Sequence, residues 1–233
     1  PTAEVTGNLI LDRLTGASIR FLEPEIYYSR LNTVKDEILS ELEREGRRGY
    51  WVPVGASVPL GAVGYVNCAA EISEFEKRSG VNFDQIFFAT GSGGTAAGLL
   101  VGSRTFGLKA QLIGVNTGEE TSELRKTTLE VAFGCSSLMG VSLSLKSEDV
   151  MILDGYDGGG YGVIDENVVR TISDFARVEG IILDPVYTAK AASGLVGELK
   201  RGAVRKNSKI LFLHTGGVFG LFAHYNILLK NDF

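Results

Sequence analysis

The chain has 233 residues, 44% of them hydrophobic, and a formal net charge of −5. That is apolar material enough for one large or two small packed domains. With no basic face or lysine/arginine run, neither nucleic acid nor an anionic membrane is expected as a partner. The longest apolar stretches, 209–214 and 217–230, are too short or too interrupted to cross a bilayer, and no secretory signal opens the chain. Cys68 and Cys135 are the only cysteines. They show no CxxC spacing and no histidine cluster, so neither a disulfide scaffold nor a metal site is expected, and two unpaired thiols fit a reducing, cytoplasmic setting.

In chain order, 7–17 reads as a short helix with Leu9, Ile10 and Leu14 apolar and Gly16 ending it. Residues 18–22 follow as a strand, and 32–46 as a helix with Ile38, Leu39 and Leu42 at helical spacing and Gly46 as its stop. Residues 50–54 read as another strand, followed by a glycine/proline loop and the helix 62–80. Regular alternation begins there: strand 84–90, helix 95–107, strand 110–116, helix 119–132, strand 149–153, helix 165–180, helix 189–202, strand 208–214 and a last helix. Near-continuous apolar strands separated by helices predict an α/β fold of three layers, mostly parallel sheet with helices on both faces. A boundary near residue 58 separates a short α/β portion, 1–58, from the longer series, 59–233.

Thirty glycines are many for such a chain, and they gather at 91–94, 155–162 and 216–217. Ordered apolar segments lie between these clusters, which favours ligand loops over disorder. The first cluster, Gly91-Ser92-Gly93-Gly94-Thr95, joins a strand to a helix, where free backbone N–H groups and the helix dipole make an anion site. A mononucleotide P-loop is excluded, because Leu99 and not lysine follows Gly98. Gly91, Gly93 and Ala96 satisfy a dinucleotide fingerprint, yet the next strand ends Asn116-Thr117-Gly118 without the ribose-binding acid on time. A compact phosphate dianion, such as that of pyridoxal 5′-phosphate (PLP), suits consecutive backbone donors flanked by two hydroxyls. A plain tight connection remains open as well.

Together with 160–163 (Gly-Tyr-Gly-Val), 183–195 (Leu-Asp-Pro-Val-Tyr-Thr through Gly-Leu) and 213–217 (Leu-His-Thr-Gly-Gly), the glycine loop resembles the D-cysteine desulfhydrase and 1-aminocyclopropane-1-carboxylate (ACC) deaminase family. The resemblance covers nearly the whole chain. It implies a PLP-dependent enzyme of the tryptophan-synthase-β fold type, with 1–58 the remainder of a smaller α/β domain and 59–233 the large PLP-binding domain. It implies that Gly91, Ser92, Gly93, Gly94 and Thr95 form a phosphate cup, that Tyr187 packs by the cofactor ring, and that Tyr161 faces the substrate. Thr188 and Thr215 are implied to lie near the pyridine nitrogen. The family's deaminases carry glutamate and leucine at those two positions. A carboxylate there would keep the nitrogen protonated and the ring a strong electron sink, whereas a neutral hydroxyl leaves it weaker, which suffices for β-elimination. The expectation is therefore D-cysteine, or a related β-substituted alanine, plus water giving pyruvate, sulfide and ammonia, with ACC deamination as the alternative.

The family's cofactor-bearing lysine belongs to an upstream Gly-Gly-Asn-Lys motif that does not occur here, and the chain opens on Pro1. The expectation is an N-terminally incomplete chain, processed or a fragment, inactive alone. Lys190 reads as a solvated surface lysine. His214 and His224 read as packing residues. A small amino-acid substrate and a homodimer are implied by the resemblance. The readings of another class are a dinucleotide-binding oxidoreductase domain and a catalytically dead binding module.

Overall fold

The computed structural model describes residues 5–149 and 151–229. The chain divides into two compact units, Pro1–Val54 and Gly55–Phe233.

The first unit carries α1 (Asn8–Leu14) and α2 (Pro24–Arg44). Pro24 at the start of α2 suits a position whose N–H would have no helical partner, and it sets the helix eight residues earlier than the apolar spacing alone suggests. Residues 18–22 and 50–54 form no strand, contrary to the sequence expectation. Their composition favours extended backbone, but a strand exists only where another segment completes its ladder. Within this unit the regular elements of the described residues are helical.

The second unit is built on a sheet of four strands, β1 (Gln85–Thr90), β2 (Gln111–Asn116), β3 (Ile152–Leu153) and β4 (Ile210–Phe212), in the spatial order β3-β2-β1-β4. Every pairing is parallel: Gln85↔Gln111 through Thr90↔Asn116, Gln85↔Ile210 through Phe87↔Phe212, and Gly114↔Ile152. The expected strand 149–153 includes Val150, which lies outside the described residues; β3 itself is only Ile152–Leu153.

The helices are α3 (Pro59–Ser79), α4 (Gly94–Phe106), α5 (Thr121–Leu138), α6 (Glu166–Glu179) and α7 (Thr188–Lys200). The chain's single expected last helix is two short ones, α8 (Val218–Ala223) and α9 (Tyr225–Leu229), separated at His224. Strand alternation sorts the core by face. Ile86 and Phe88 point to Ala69, Ile72 and Leu99 of α3 and α4, while Phe87 and Ala89 point to Ala191 and Leu195 of α7. Side chains this completely buried contribute roughly 1.5–3 kcal/mol each, so β1 holds both layers to the sheet. The three-layer parallel α/β architecture is as the sequence predicts.

Close approach of α3 and α4 depends on Gly98. A Cβ there would sit 2.2 Å from the Ala62 carbonyl oxygen and 2.6 Å from Tyr65 Cβ. We expect Gly98→Ala to lower stability by about 1–3 kcal/mol through overpacking. Gly64→Ala, on open α3 surface with nothing within 4 Å, should raise it by roughly 0.5–1 kcal/mol. Urea midpoints of the two variants test the contrast.

Candidate functional site

Because all strands run the same way, the loops that leave them gather at one edge of the sheet. The switch in strand order falls between β1, which leads outward to β2 and β3, and β4 on its other side. Ligands of open α/β sheets sit in the crevice beyond such a switch. The turn after β1 is Gly91–Gly93, and the turn after β4 is Leu213–Gly217. Both glycine clusters therefore flank the switch.

The β1 turn leads directly into α4. Gly93 is the residue capping that helix, in the left-handed region at φ 85°, and no side chain caps it. Its missing Cβ would meet the Thr128 hydroxyl at 2.8 Å. Thr128 is fully buried and its hydroxyl makes no protein hydrogen bond, like that of Thr90 at the end of β1. Ser92 is exposed, and its Oγ accepts from Ser57 Oγ at 2.7 Å, leaving its own proton free. Sequence reading missed Ser57, 35 residues upstream; the signal was a serine beside a glycine/proline loop. Gly55 and Ala56 precede it at φ 66° and 48°. A Cβ on Gly94 would come within 2.8 Å of Ser57 Oγ, so the two turns are in van der Waals contact.

The Leu183–Thr188 segment and the β4 turn meet at Asp184. This carboxylate is 1% exposed. It accepts from Val186 N, Tyr187 N and Thr188 N at 2.8–2.9 Å and from Thr188 Oγ1 at 2.6 Å. Asp184 N in turn donates to Thr188 Oγ1 at 2.8 Å. Thr188 thus has its single proton engaged and only a lone pair to offer a ligand. A Cβ on Gly217 would lie 2.7 Å from Asp184 Cγ, and Thr215, two residues earlier, is exposed. His214 anchors that turn: its Nδ1 accepts from Gly216 N at 3.3 Å, which leaves Nε2 to donate to Ile182 O at 2.9 Å.

Tyr161 and Tyr187 come together, hydroxyl to hydroxyl at 2.6 Å, with rings edge to face at 6.0 Å. Burial first, and then the Tyr161 hydrogen bond, push the Tyr187 phenol well above its ordinary value, so it remains protonated. Lys190 corrects the sequence expectation of a solvated lysine. It is 0% exposed, and Nζ donates to Thr117 O at 3.0 Å and Gly160 O at 2.7 Å. The first turn of α7 is covered on two sides, by the sheet at Ala191 and by α6 at Ala189, and Lys190 between them reaches the loops instead of water. Burial lowers the ammonium pKa, opposed by the charges of Asp157, Asp165 and Asp184. Burial likewise pushes both thiols, Cys68 and Cys135, up and makes them poor nucleophiles. Among the described residues, no group of three His, Cys, Asp or Glu side chains could hold a metal, and no helix is long and apolar enough to cross a membrane.

An open, side-chain-poor glycine turn at a parallel switch point, together with a pair of bonded phenols beside the loop after β2, fits a class of protein that binds a phosphorylated ligand. A family model described as pyridoxal-phosphate dependent enzyme matches residues 1–216, and the chain belongs to that family. Its cofactor is pyridoxal phosphate. The chain is 42% identical over 223 residues to a putative ACC deaminase of Pyrococcus furiosus, covering 95% of this chain and 65% of that one. It is 39% identical over 189 residues to a D-cysteine desulfhydrase of Yersinia enterocolitica, covering 81% and 56%. The crystal structure of an ACC deaminase homologue superposes with a TM-score of 0.87 at 35% identity, covering 99% of this chain and 68% of that one. The chain spans about two thirds of the length of the curated relatives it matches, 65%, 63% and 64% for three of them. The fold is that of the tryptophan-synthase-β type.

The residues present fit the cofactor's phosphate. Gly91, Gly93 and Gly94 place no side chain in the cup, the α4 amino end lacks a side-chain cap, and Ser92 has a proton to give.

Asp184 holds the 183–188 segment in shape. We expect Asp184→Ala to leave buried N–H groups unpaired and to cost roughly 1–3 kcal/mol for each one that finds no water. Asp184→Asn, which keeps one acceptor, should cost less. Denaturation of both variants by urea, compared with wild type, checks the order.

Proposed function

We propose that this chain supplies the phosphate cup and the substrate-facing tyrosines of a PLP-dependent lyase of the D-cysteine desulfhydrase type, working as a cytoplasmic homodimer. The overall reaction converts D-cysteine, or a related β-substituted alanine, and water into pyruvate, sulfide and ammonia. The observation that supports the choice of reaction is the state of the carboxylate bonded to Thr188: Asp184 already accepts four hydrogen bonds, all from residues 186–188. When bound, PLP withdraws electrons from the substrate's α-carbon, which allows the α-proton and a β-substituent to leave.

The chain's own residues divide the remaining work. Gly91–Thr95 hold the phosphate on backbone N–H groups and the Ser92 and Thr95 hydroxyls. The exposed Thr215 hydroxyl would be the donor toward the ring nitrogen, since the Thr188 proton is engaged by Asp184. A hydroxyl partner in place of a carboxylate would leave the nitrogen neutral and suit departure of a good leaving group such as sulfide. Tyr187 packs against the ring, and the Tyr161–Tyr187 pair presents a phenolic proton to the substrate side. None of these residues is assigned the role of the cofactor-bearing lysine. Lys190 does not take that role, because both its observed hydrogen bonds bind it to backbone carbonyls.

ACC deamination is the second reading, supported by the name of the Pyrococcus furiosus relative. It is decided by assaying the complete gene product with both substrates. Faster release of pyruvate from D-cysteine than of 2-oxobutanoate from ACC supports the desulfhydrase reading; the reverse order overturns it.

The cup can be tested separately with pyridoxine 5′-phosphate, which has no aldehyde and needs no lysine. We expect saturable binding by calorimetry, none with unphosphorylated pyridoxine, and about a tenfold loss for Ser92→Ala, the equivalent of one hydrogen bond to an anion. Ser57→Ala should reproduce part of that loss.

A further inference from the structure

We propose that Lys190 is a positioning residue for the tyrosine pair: seated on the Gly160 and Thr117 carbonyls, its ammonium fixes the glycine loop so that Tyr161 meets Tyr187. The proposal rests on the reading of those tyrosines as the substrate side of the site.

A fully buried lysine is unusual. Removing an ammonium from water costs several kcal/mol unless other groups replace its hydration. Here the replacements are main-chain carbonyls from two different loops, that after β2 and that after β3. These loops also touch directly, since a Cβ on Gly118 would lie 2.1 Å from Tyr161 N. Lys190 itself stands on α7, one turn beyond Tyr187. The ammonium therefore joins three chain segments, two of which carry the two phenols. Asp157 and Asp165 in the β3–α6 connection and Asp184 before α7 supply the negative surroundings that keep a charge tolerable there.

The loop has little means of holding its own shape. Gly158, Gly159 and Gly160 have φ of 69°, 101° and 143°, and glycine has the widest backbone freedom of any residue. Its own backbone bonds are long, 3.4 Å for Gly160 N to Asp157 O and 3.2 Å for Val163 N to Gly160 O. The 2.7 Å bond from Lys190 lands on the residue immediately before Tyr161. One peptide unit thus separates the clamp from the phenol it places. The circuit borders the cofactor cup at Thr117, whose Oγ1 a Cβ on Gly91 would approach to 2.7 Å, but neither bond of the Lys190 ammonium ends on the α4 amino end, so pyridoxine 5′-phosphate affinity reads the cup apart from the tyrosine pair.

The test uses tyrosine labelled with carbon-13 at Cζ, read by NMR in the chain with its native sequence and in variants. In that background, Tyr161→Phe shifts the Tyr187 resonance and Tyr187→Phe shifts that of Tyr161, because the hydroxyls are bonded. In Lys190→Met, the same two substitutions should no longer shift the partner, while pyridoxine 5′-phosphate affinity stays within twofold. Lys190→Arg, which keeps charge and donors, should restore the coupling. In the complete enzyme Lys190→Met should lower kcat for D-cysteine at least tenfold at saturating cofactor. Persistent tyrosine coupling in Lys190→Met overturns the proposal. So does equal loss of cofactor affinity, which would mark a general structural role. If wild type fails to turn over D-cysteine, the desulfhydrase reading falls and the NMR result still decides the positioning role. Should Lys190→Met not fold, coupling can be read in reverse, since it is reciprocal. Tyr187→Phe should then speed hydrogen exchange at the Lys190 ammonium several-fold, and unchanged exchange overturns the proposal.

Discussion

Parallel strand direction is the constraint on which the rest of the second unit depends. Four strands that point the same way deliver every outgoing loop to one edge and bring the amino ends of the following helices back to it. Backbone N–H groups at the start of α4 therefore face the same crevice as the loops after β2, β3 and β4. An antiparallel sheet with these residues would send half of them to the opposite edge. The order β3-β2-β1-β4 then opens the sheet between β1 and β4, where two glycine turns leave room for a ligand.

Around that crevice the polar groups fall into two kinds. Asp184, Lys190 and His214 are spent on the main chain: they bond N–H groups or carbonyls of the tight turns around the crevice. Ser92, Thr215 and the tyrosine hydroxyls keep capacity for a ligand. Burial sets Asp184 and Lys190 apart from the second group: they are 1% and 0% exposed, whereas Tyr161 and Tyr187 are 57% and 37%. His214, which holds the turn after β4, is itself exposed. The division also explains why Thr188, adjacent to Tyr187 in sequence, differs from it in what it can still donate.

Much of this was legible in local sequence. Gly16, Gly46, Gly80, Gly107 and Gly180 each follow a helix at positive φ, where glycine is the residue without a steric penalty. The turn between β1 and α4 was legible for the same reason: Gly91–Thr95 sit between an apolar strand and a helical pattern. What escaped was set by distant partners. Residues 18–22 and 50–54 have strand composition, but pairing is not encoded in either segment alone. Ser57 gains its meaning from Ser92, and Lys190 from carbonyls 73 and 30 residues away. A signal did exist for Lys190. It stands among Ala189, Ala191 and Ala192, a run of small residues of the kind found where a helix is covered on several sides, and a lysine within it has little access to water.

The glycine seam between α3 and α4 acts as a gauge block. Both helices begin at the cup, α3 two residues after Ser57 and α4 two residues after Ser92. At Gly98, and again at Gly102 where a Cβ would lie 2.5 Å from Ala69 Cβ, the two backbones touch with no side chain between them. Sliding one helix along the other would have to break that register at both points. The separation of the two serine hydroxyls is therefore calibrated one and two turns away from them, by residues that touch no ligand. Natural variation at those glycines would therefore reach anion affinity as well as stability, with the cup's own residues unaltered.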